Sequence, residues 1–290
     1  MVSESVPFED HFVQTNGVTL HVVQAGPPDG ELVILLHGFP EFWYGWRRQI
    51  EALAKRGFRV WAPDQRGYNL SEKPDGIRSY HLDLLAKDVI GLVDAAGREK
   101  AFLAGHDWGA GVTWHTALWH PARLHKIAIL NVPHPAVMSR TLRSSARQML
   151  KSWYMFYFQI PRLPEWMMAV GDSAAAARQL ISSSRPGTFS DADIARYLEA
   201  WRQPGAWTAM INWYRSVFQN DPKLPRDIRV KVPTLMIWGA QDAFLSETMA
   251  QPSIDLCDDG RLVRFPEATH WVQHEEAHQV SAQMAEWFGG

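Results

Sequence analysis

The sequence predicts an α/β fold with a mostly parallel central sheet covered by helices. Short apolar runs rich in β-branched residues recur along the chain, and helical patterns separate them. The seven predicted strands span residues 18–23, 32–36, 60–62, 101–104, 127–130, 232–238 and 262–265. Several are followed by a turn or cap residue, such as Gly38, Asp64, Gly105 and Gly239. Ligands of open α/β sheets bind at the carboxyl ends of strands, so functional residues are expected there.

The strand rhythm stops after the segment Asn-Val-Pro-His-Pro at residues 131–135 and resumes only at residue 232. Helical patterns span residues 139–158, 191–201 and 206–218 in this interval, and prolines separate them. We interpret residues 135–224 as a helical lid inserted into the core and lying over the strand ends. The core is then built from two parts of the chain, residues 1–134 and 225–290.

Composition limits the classes of function. The chain has 290 residues, is 46% hydrophobic, and has 29 basic against 31 acidic residues. This balance predicts no attraction to nucleic acid or to an anionic membrane, and it suits a neutral small-molecule substrate. A single cysteine, Cys257, excludes an internal disulfide. The amino-terminal residues lack the pattern of a leader, and no apolar stretch approaches the ~20 residues of a membrane span, so we expect a cytoplasmic protein.

The first motif with chemical content follows the predicted strand 101–104. Gly105-His-Asp107-Trp-Gly109 has the spacing of the G-x-S-x-G nucleophile elbow, with aspartate in place of serine. The glycines at 105 and 109 leave room for the strained turn that would expose residue 107 at the sheet edge. Asp107 is therefore the candidate nucleophile.

A second motif, His37-Gly38-Phe39-Pro40, comes directly after the predicted strand 32–36. In nucleophile-elbow enzymes the loop after this strand supplies one amide of an oxyanion hole, and the residue after the nucleophile supplies the other. The two predicted donors are the backbone N–H groups of Phe39 and Trp108. We assign His37 and Pro40 to substrate binding, and we expect His37 to act by holding the loop in place.

Two later strands end near an acid and a base. Asp242 follows the strand 232–238, and His270 follows the strand 262–265. Nucleophile, acid and base thus occur in the chain order of a serine-type elbow hydrolase. We predict a triad of Asp107, Asp242 and His270.

Together these motifs resemble the epoxide hydrolases of the α/β-hydrolase superfamily, and the resemblance covers essentially the whole chain. It implies the α/β-hydrolase fold with an inserted helical lid. It also implies that one tyrosine from each of two lid segments hydrogen-bonds the epoxide oxygen. The matching residues are Tyr154 and Tyr214, while the neighbouring Tyr157 is a second candidate for the first position.

The aspartate nucleophile restricts the reaction on chemical grounds. A carboxylate that attacks an ester gives a reactive anhydride, whereas attack on an sp³ carbon with a leaving group gives an ordinary ester. The predicted cycle is attack of Asp107 on an epoxide carbon, followed by hydrolysis of the alkyl-enzyme ester by a water that His270 deprotonates. Asp242 is expected to orient the imidazole and to stabilise its charged form.

Alkyl halides satisfy the same logic and give the alternative of a haloalkane dehalogenase. An opening epoxide needs an acid, which a phenol can supply, whereas a halide needs only hydrogen-bond donors. The lid tyrosines favour the epoxide. Haloalkane dehalogenases add an asparagine or second tryptophan to the tryptophan after the nucleophile, and here the oxyanion-loop position is Phe39.

The predicted lid is rich in apolar residues that suit an apolar pocket. We assign Trp153 and Tyr157 to substrate binding. Their neighbours of the same character are Met155, Phe156, Trp166, Met167 and Met168. The helical spacing of this set leaves open whether half of it only packs the lid.

Residues 274–278, His-Glu-Glu-Ala-His, match the H-E-x-x-H zinc string. We place the string at the start of the final amphipathic helix, without an evident third ligand, and expect a solvated helix face and no bound metal. No cofactor is predicted either, so a small apolar epoxide and water are the expected partners. Whether the chain is a monomer or a homo-oligomer is left open. A non-catalytic binding protein of the same fold is the remote alternative, although no triad member or oxyanion donor is missing.

Overall fold

An eight-stranded sheet organises the protein. The computed structural model describes residues 6–220 and 223–290. The strands are β1 (Glu9–Thr15), β2 (Val18–Ala25), β3 (Leu32–Leu36), β4 (Arg59–Pro63), β5 (Ala101–His106), β6 (Leu124–Leu130), β7 (Thr234–Gly239) and β8 (Gly260–Phe265). Their order is β1-β2-β4-β3-β5-β6-β7-β8. β2 pairs antiparallel with β1 and β4, and the remaining pairs are parallel. The predicted, mostly parallel sheet is confirmed.

Two differences from the predicted strands have simple causes. Strand β1 was not predicted, because most of its side chains are exposed and it has no apolar alternation to read. It forms through backbone pairing with β2 along its whole length. Strand β7 begins at Thr234 instead of 232, and Pro233, which lacks a backbone N–H, stands directly before it.

The central strands are buried because helices cover both faces of the sheet. The core helices are α1 (Arg47–Ala54), α2 (Leu82–Ala95), α3 (Trp108–Trp119), α11 (Ala250–Ile254), α12 (Val272–Glu275) and α13 (Ala277–Gly289). Ile50 of α1 and Met284 of α13 belong to one apolar cluster with Leu35 of β3. Val89 of α2 and Trp114 of α3 belong to the cluster on the opposite face. Each residue of β3 and β5 is buried between these layers.

Between β6 and β7, the described residues 131–220 and 223–233 contain seven helices. They are α4 (Pro135–Ser144), α5 (Ala146–Lys151), α6 (Trp153–Tyr157), α7 (Leu163–Ala169), α8 (Ala174–Ser182), α9 (Asp191–Trp201) and α10 (Ala206–Asn220). We call them the inserted helices. Their contacts reach the sheet edge: Tyr197 of α9 donates to Glu41, and Trp213 of α10 donates to the carbonyl of Arg66. The division of the chain at residues 134 and 224 stays a prediction.

Helix boundaries in this segment follow the capping residues. The predicted helix 191–201 is confirmed, and the Ser190 hydroxyl and the Asp193 carboxylate form a capping box at its start. The single helix predicted over 139–158 is wrong, because Ser145 is extended and its side chain caps a new helix by accepting from the Gln148 amide. A second break at Ser152 separates α5 from α6. Helices α7 and α8 were not predicted.

The last helix also differs from its prediction. The helical conformation is interrupted at Glu276, so residues 274–278 span the end of α12 and the start of α13. The two histidines of the zinc-like string therefore do not share one helix. His274 is buried at 3% exposure, so the expected solvated helix face is wrong at this residue. In the described part of the chain, no helix is both long enough and apolar enough to cross a bilayer.

Candidate active site

Asp107 occupies a strained turn between β5 and α3. Its backbone has φ 49° and ψ −122°, a region that side-chain-bearing residues rarely adopt. Glycine is required at the two flanking positions because backbone atoms of neighbouring segments lie too close for a side chain. A Cβ atom would lie 2.2 Å from the Gly109 carbonyl oxygen if added at Gly105, and 2.1 Å from the Leu36 carbonyl oxygen if added at Gly109. The turn leaves the Asp107 side chain 15% exposed at the carboxyl end of β5.

The loop after β3 holds this carboxylate. The backbone N–H of Phe39 donates to Oδ1 of Asp107 over 2.8 Å. Nε2 of His37 accepts from the Gln65 amide over 3.0 Å, so its Nδ1 donates to the Gly38 carbonyl, also over 3.0 Å. His37 is fully buried, and burial lowers its pKa against the opposing effect of nearby carboxylates. His37 therefore supports the loop as a neutral imidazole, as expected from the sequence.

Pro40 and Trp108 flank the same place. The carbonyl oxygen of Pro40 accepts from the indole N–H of Trp201 in α9 over 2.6 Å, so this loop is tied to the inserted helices. Trp108 is the first residue of α3, and amides in a first helical turn have no acceptor within the helix. Its indole ring packs edge-on against the Tyr214 ring, with the two ring centroids 4.9 Å apart.

His270 lies between two carboxylates. Its Nδ1 binds Oδ2 of Asp242 over 2.7 Å, and its Nε2 lies 3.5 Å from Oδ2 of Asp107. His270 and Asp242 are both 3% exposed. The other Asp242 oxygen accepts from the amides of Phe244 and Leu245 over 2.7 and 2.9 Å. The structure thus brings together the three residues that the sequence predicted as a triad.

The two carboxylates control the charge of the imidazole. Burial alone would lower the pKa of His270, but Asp242 and Asp107 outweigh it and raise the pKa to about 10. Burial would raise the pKa of Asp107, yet the His270 hydrogen bond and charge, with the Phe39 amide, lower it. The pKa of Asp242 is lowered for the same reason, with His270 as the main partner. The resting arrangement is an imidazolium between two anions.

Tyr154 of α6 and Tyr214 of α10 meet over this group. Their ring centroids are 5.9 Å apart, and the Tyr214 ring also lies 5.2 Å from Phe39 and 4.9 Å from Trp108. Burial, followed by the negative charge of Asp107, raises the pKa of both phenols. Both therefore keep their protons at neutral pH and can act as hydrogen-bond donors beside the Asp107 carboxylate.

Trp153 and Tyr157 are placed differently from Tyr154, and their assignment to substrate binding stays a prediction. The Trp153 side chain is 62% exposed, and the Tyr157 hydroxyl contacts Sδ of Met167 at 2.9 Å. Helix α6 is only five residues long, and its turn sets these two side chains apart from Tyr154. Tyr154 is thus the tyrosine of this helix that is near Asp107. Met155 and Met168 pack on the cluster around Tyr214, whereas Phe156, Trp166 and Met167 are exposed.

Asn131 is a site residue that sequence reasoning missed. It follows β6 with φ 53°, a conformation that asparagine tolerates better than most residues. Its Nδ2 donates to Oδ2 of Asp242, and its Oδ1 accepts from the Gly239 amide, each over 2.8 Å. A polar residue at the end of the strand adjacent to that of Asp242 was a usable signal, but the segment was read only as the end of the strand pattern.

A buried glutamate behind the triad was also missed. Glu41 is 1% exposed, and its carboxylate binds Nε2 of His274 over 2.7 Å and accepts from the Tyr197 hydroxyl over 2.7 Å. Gln273 and His106 complete the group, and Nε2 of His106 donates to the His270 carbonyl over 2.8 Å. Burial would raise the pKa of Glu41, but His274 and His106 hold it well below its ordinary value. This network links the base loop to α9, and it accounts for one histidine of the zinc-like string.

Comparison with known proteins gives a consistent family. The family model described as "alpha/beta hydrolase fold" matches residues 31–277. The chain is 47% identical over 276 residues to the AB hydrolase superfamily protein YfhM of Bacillus subtilis, which covers 95% of this chain and 96% of that protein. It is 36% identical over 279 residues to Epoxide hydrolase 2 of Caenorhabditis elegans, with coverage of 94% and 78%.

A solved structure agrees with the sequence relatives. The crystal structure of the Bacillus megaterium epoxide hydrolase in complex with an inhibitor superimposes with a TM-score of 0.89 and 30% identity. The match covers 97% of this chain and all of that one, at 100%. The predicted fold and the predicted resemblance are thereby confirmed. The chain belongs to the α/β-hydrolase fold family and, within it, to the epoxide hydrolases.

Proposed function

We propose that the protein hydrolyses small apolar epoxides to vicinal diols through a covalent ester on Asp107. The observation that carries this proposal is the pair of Tyr154, which is half-buried, and Tyr214, which is buried: their rings lie 5.9 Å apart, and burial, followed by the charge of Asp107, raises the pKa of both phenols. Ring opening needs a carboxylate that attacks the epoxide carbon from one side and an acid that protonates the departing oxygen on the other. The inserted helices act as the lid that supplies the acid.

The first step forms the ester. Oδ1 of Asp107 is held by the Phe39 amide, so Oδ2 is the attacking oxygen. As the new C–O bond forms, the ring C–O bond breaks, and the departing alkoxide takes a proton from a tyrosine. An alkoxide is far more basic than a phenolate, so the transfer is downhill even from phenols of raised pKa. The second phenol stabilises the same oxygen by a hydrogen bond.

Ester formation itself prepares the base for the second step. The charge of Asp107 disappears when it is esterified, and one of the two anions that raise the pKa of His270 to about 10 is lost. The pKa of the imidazole then falls, and His270 loses its proton. The tyrosine that gave its proton to the alkoxide takes up a proton in return, so the site as a whole neither gains nor loses one. Neutral His270, oriented by Asp242, can accept a proton from water.

Water then attacks the carbonyl carbon of the Asp107 ester. The Phe39 and Trp108 amides are the donors for the oxyanion of the tetrahedral intermediate, and Asp242 stabilises the imidazolium. Breaking the ester C–O bond releases the diol, which leaves with a proton from His270. The Asp107 carboxylic acid returns its proton to the imidazole, and the resting ion pair is restored.

The haloalkane alternative receives less support. A halide would need free N–H donors next to Asp107. The Trp108 indole, which would be the first of these, packs edge-on against the Tyr214 ring, and Phe39 offers no side-chain donor. The same arrangement that disfavours a halide places two hydroxyl donors for an oxygen leaving group.

The reaction class is tested with a panel of aryl and alkyl epoxides, haloalkanes and a carboxylic ester. We expect diol formation from epoxides and no turnover of the other two classes. Asp107→Ala should abolish turnover, because no other group can form the ester, while Asp29→Ala, which removes an exposed carboxylate, should not change it. Turnover of haloalkanes in preference to epoxides would contradict the proposal.

The covalent route has its own test. With enzyme in excess, a single turnover in ¹⁸O-labelled water should give diol without label, because the added oxygen comes from Asp107. The label should appear in the Asp107 carboxylate and reach the diol only in later turnovers. Full label in the first diol would mean that water attacks the epoxide directly.

A further inference from the structure

The outer side of helices α5 to α7 exposes an unusual number of large apolar side chains. Of the fourteen large hydrophobic side chains that are exposed among the described residues, nine lie between residues 149 and 170. They are Met149, Leu150, Trp153, Phe156, Ile160, Leu163, Trp166, Met167 and Val170. We call this set, with Phe218 of α10, the outer apolar face. Apolar groups concentrated in this way on a surface mark an interaction site.

Contacts across three helices link several members of the outer apolar face. The Trp153 ring lies 5.9 Å from the Tyr157 ring, whose hydroxyl contacts Met167 of α7. The Phe156 ring lies 5.5 Å from the Phe218 ring of α10. Trp153 is thus linked to Met167 through Tyr157, and Phe156 is linked to Phe218.

The charges around the outer apolar face are nearly all positive. Residues 135–170 hold five basic residues and one acidic residue, a net charge of +4, although the whole chain has a net charge of −2. The basic residues are Arg140, Arg143, Arg147, Lys151 and Arg162. The acidic residue, Glu165, is paired with Arg215. The even charge of the whole chain conceals this local excess.

Four of these cations are available to a partner. Arg140, Arg143, Arg147 and Arg162 are exposed, and none has an ion pair with a carboxylate in the part of the chain that the structure describes. Lys151 differs, because its ammonium group donates inward to the Asp242 carbonyl. The free arginines lie on the helices that carry the apolar side chains or directly beside them.

This charge pattern selects among partners for an apolar face. Association of two copies about a two-fold axis would place the same surface on both sides, and so set cation against cation. An anionic partner gains from the same arginines. Exposed tryptophan, leucine and phenylalanine bordered by arginine are the composition of helices that lie in the interface of a bilayer.

We propose that the outer apolar face binds the surface of an anionic phospholipid bilayer, with the arginines at the headgroups and the apolar side chains between them. Trp153 and Phe156 then insert from one side of α6, while Tyr154 of the same helix stands near Asp107. A bilayer would thus lie one helix away from the candidate active site. The proposal concerns binding and does not depend on the reaction assigned to Asp107.

Vesicle flotation tests the proposal with the full chain. The protein should float with vesicles of phosphatidylcholine and phosphatidylglycerol, and much less with phosphatidylcholine alone. Added salt should weaken binding, because the headgroup attraction is screened. Arg143→Glu with Arg147→Glu, and separately Leu150→Ser with Trp166→Ser, should each lower the partition by about tenfold or more.

Matched variants outside the face serve as controls. Arg56→Glu changes an exposed arginine outside the inserted helices. Phe12→Ser with Trp119→Ser removes two exposed aromatic rings, also outside the inserted helices. Both should bind vesicles like the unchanged protein, and thermal unfolding checks that all variants fold. Equal partition with neutral and anionic vesicles, or no loss in the face variants, would overturn the proposal. A dimer in analytical ultracentrifugation that Leu150→Ser with Trp166→Ser dissociates, without vesicle binding, would assign the face to a second copy instead.

Discussion

The Asn131 side chain donates a hydrogen bond to Oδ2 of Asp242 over 2.8 Å, and the same oxygen binds the His270 imidazole. The orientation of the acid therefore depends on a residue at the end of the neighbouring strand. Because Oδ1 of Asp242 is held by two backbone amides, both carboxylate oxygens are fully engaged. The imidazole is thus aimed by a rigid group and does not have to be ordered during the reaction.

Asn131→Ala should reduce turnover and stability together. It removes a hydrogen bond to a buried carboxylate, a loss of about 1.5 to 3 kcal/mol in the free energy of unfolding, measured by urea denaturation. Alanine also strains the left-handed backbone at this position, so Asn131→Gly is the control that keeps φ 53° accessible. If the hydrogen bond is what matters, both variants lose activity. A fully active glycine variant would show that only the backbone conformation is needed.

Asp107→Asn should lower the pKa of His270 from its value of about 10. One of two anions beside the imidazolium is removed, so the charged form loses stabilisation. A raised pKa in the folded protein contributes stability that is fully present below about pH 6.5 and is lost as the pH rises through about 10. In the variant this contribution to stability should be lost at a lower pH, because the pKa of His270 is lower. NMR titration of the His270 imidazole measures the change in pKa, and Asp29→Asn is the control. An unchanged pKa of His270 in Asp107→Asn would contradict the electrostatic account of the second step.

His270→Gln should form the ester but fail to hydrolyse it. The first step needs only the carboxylate and the phenols, whereas the second needs a base. Intact-protein mass spectrometry after mixing with an epoxide should show one substrate mass added, on the peptide that contains Asp107. A folded variant of unchanged mass would count against a covalent intermediate.

Tyr154→Phe and Tyr214→Phe should each leave one donor for the opening ring. We expect each single variant to lower the rate by ~10² or less, within the range for one general acid. The double variant should be much slower, with an activation free energy raised by at least about 2.7 to 4 kcal/mol, the cost of removing one preorganised donor. Epoxide turnover under saturating substrate measures both effects. Tyr157→Phe is the matched control, since its hydroxyl contacts Met167 and should leave the rate unchanged. A double variant that opens epoxides at the wild-type rate would make these tyrosines packing residues.

Gly38→Ala should impair the nucleophile, because the added Cβ would lie 2.3 Å from Cβ of Asp107. The oxyanion loop or the strained turn must then move, and activity should fall. Gly111→Ala in α3 is the matched control, as its nearest neighbour would be a Trp108 ring carbon at 3.7 Å. That variant should be active and gain roughly 0.5 to 1 kcal/mol in unfolding free energy from the helix propensity of alanine. Thermal unfolding and turnover of the two variants separate a local clash from a general intolerance of alanine.

The features read correctly from the sequence are those written in contiguous residues. The strand predicted at 101–104, the glycines at 105 and 109, and the loop at 37–40 are local patterns whose sterics and hydrogen bonding demand particular residues. Chain order then placed Asp242 and His270 after late strands. The same approach failed for β1, because an exposed edge strand has no apolar alternation. It also joined α4, α5 and α6 into one helix, because capping by Ser145 was not recognised.

The sequence by itself thus determined the strands β2 to β8 and the turn that carries Asp107, since each depends on residues adjacent in the chain, and chain order pointed to Asp242 and His270 as its neighbours. Tertiary structure alone decided what lies beside them. Asn131 hydrogen-bonds Asp242, which lies 111 residues later in the chain. Glu41 hydrogen-bonds His106 and His274, which lie 65 and 233 residues later. These contacts form because parallel strands bring distant loops to the same edge of the sheet. It also decided that Tyr154 is near Asp107 while Trp153 faces solvent, since the rotation of a five-residue helix is set by what it packs against and not by its own sequence.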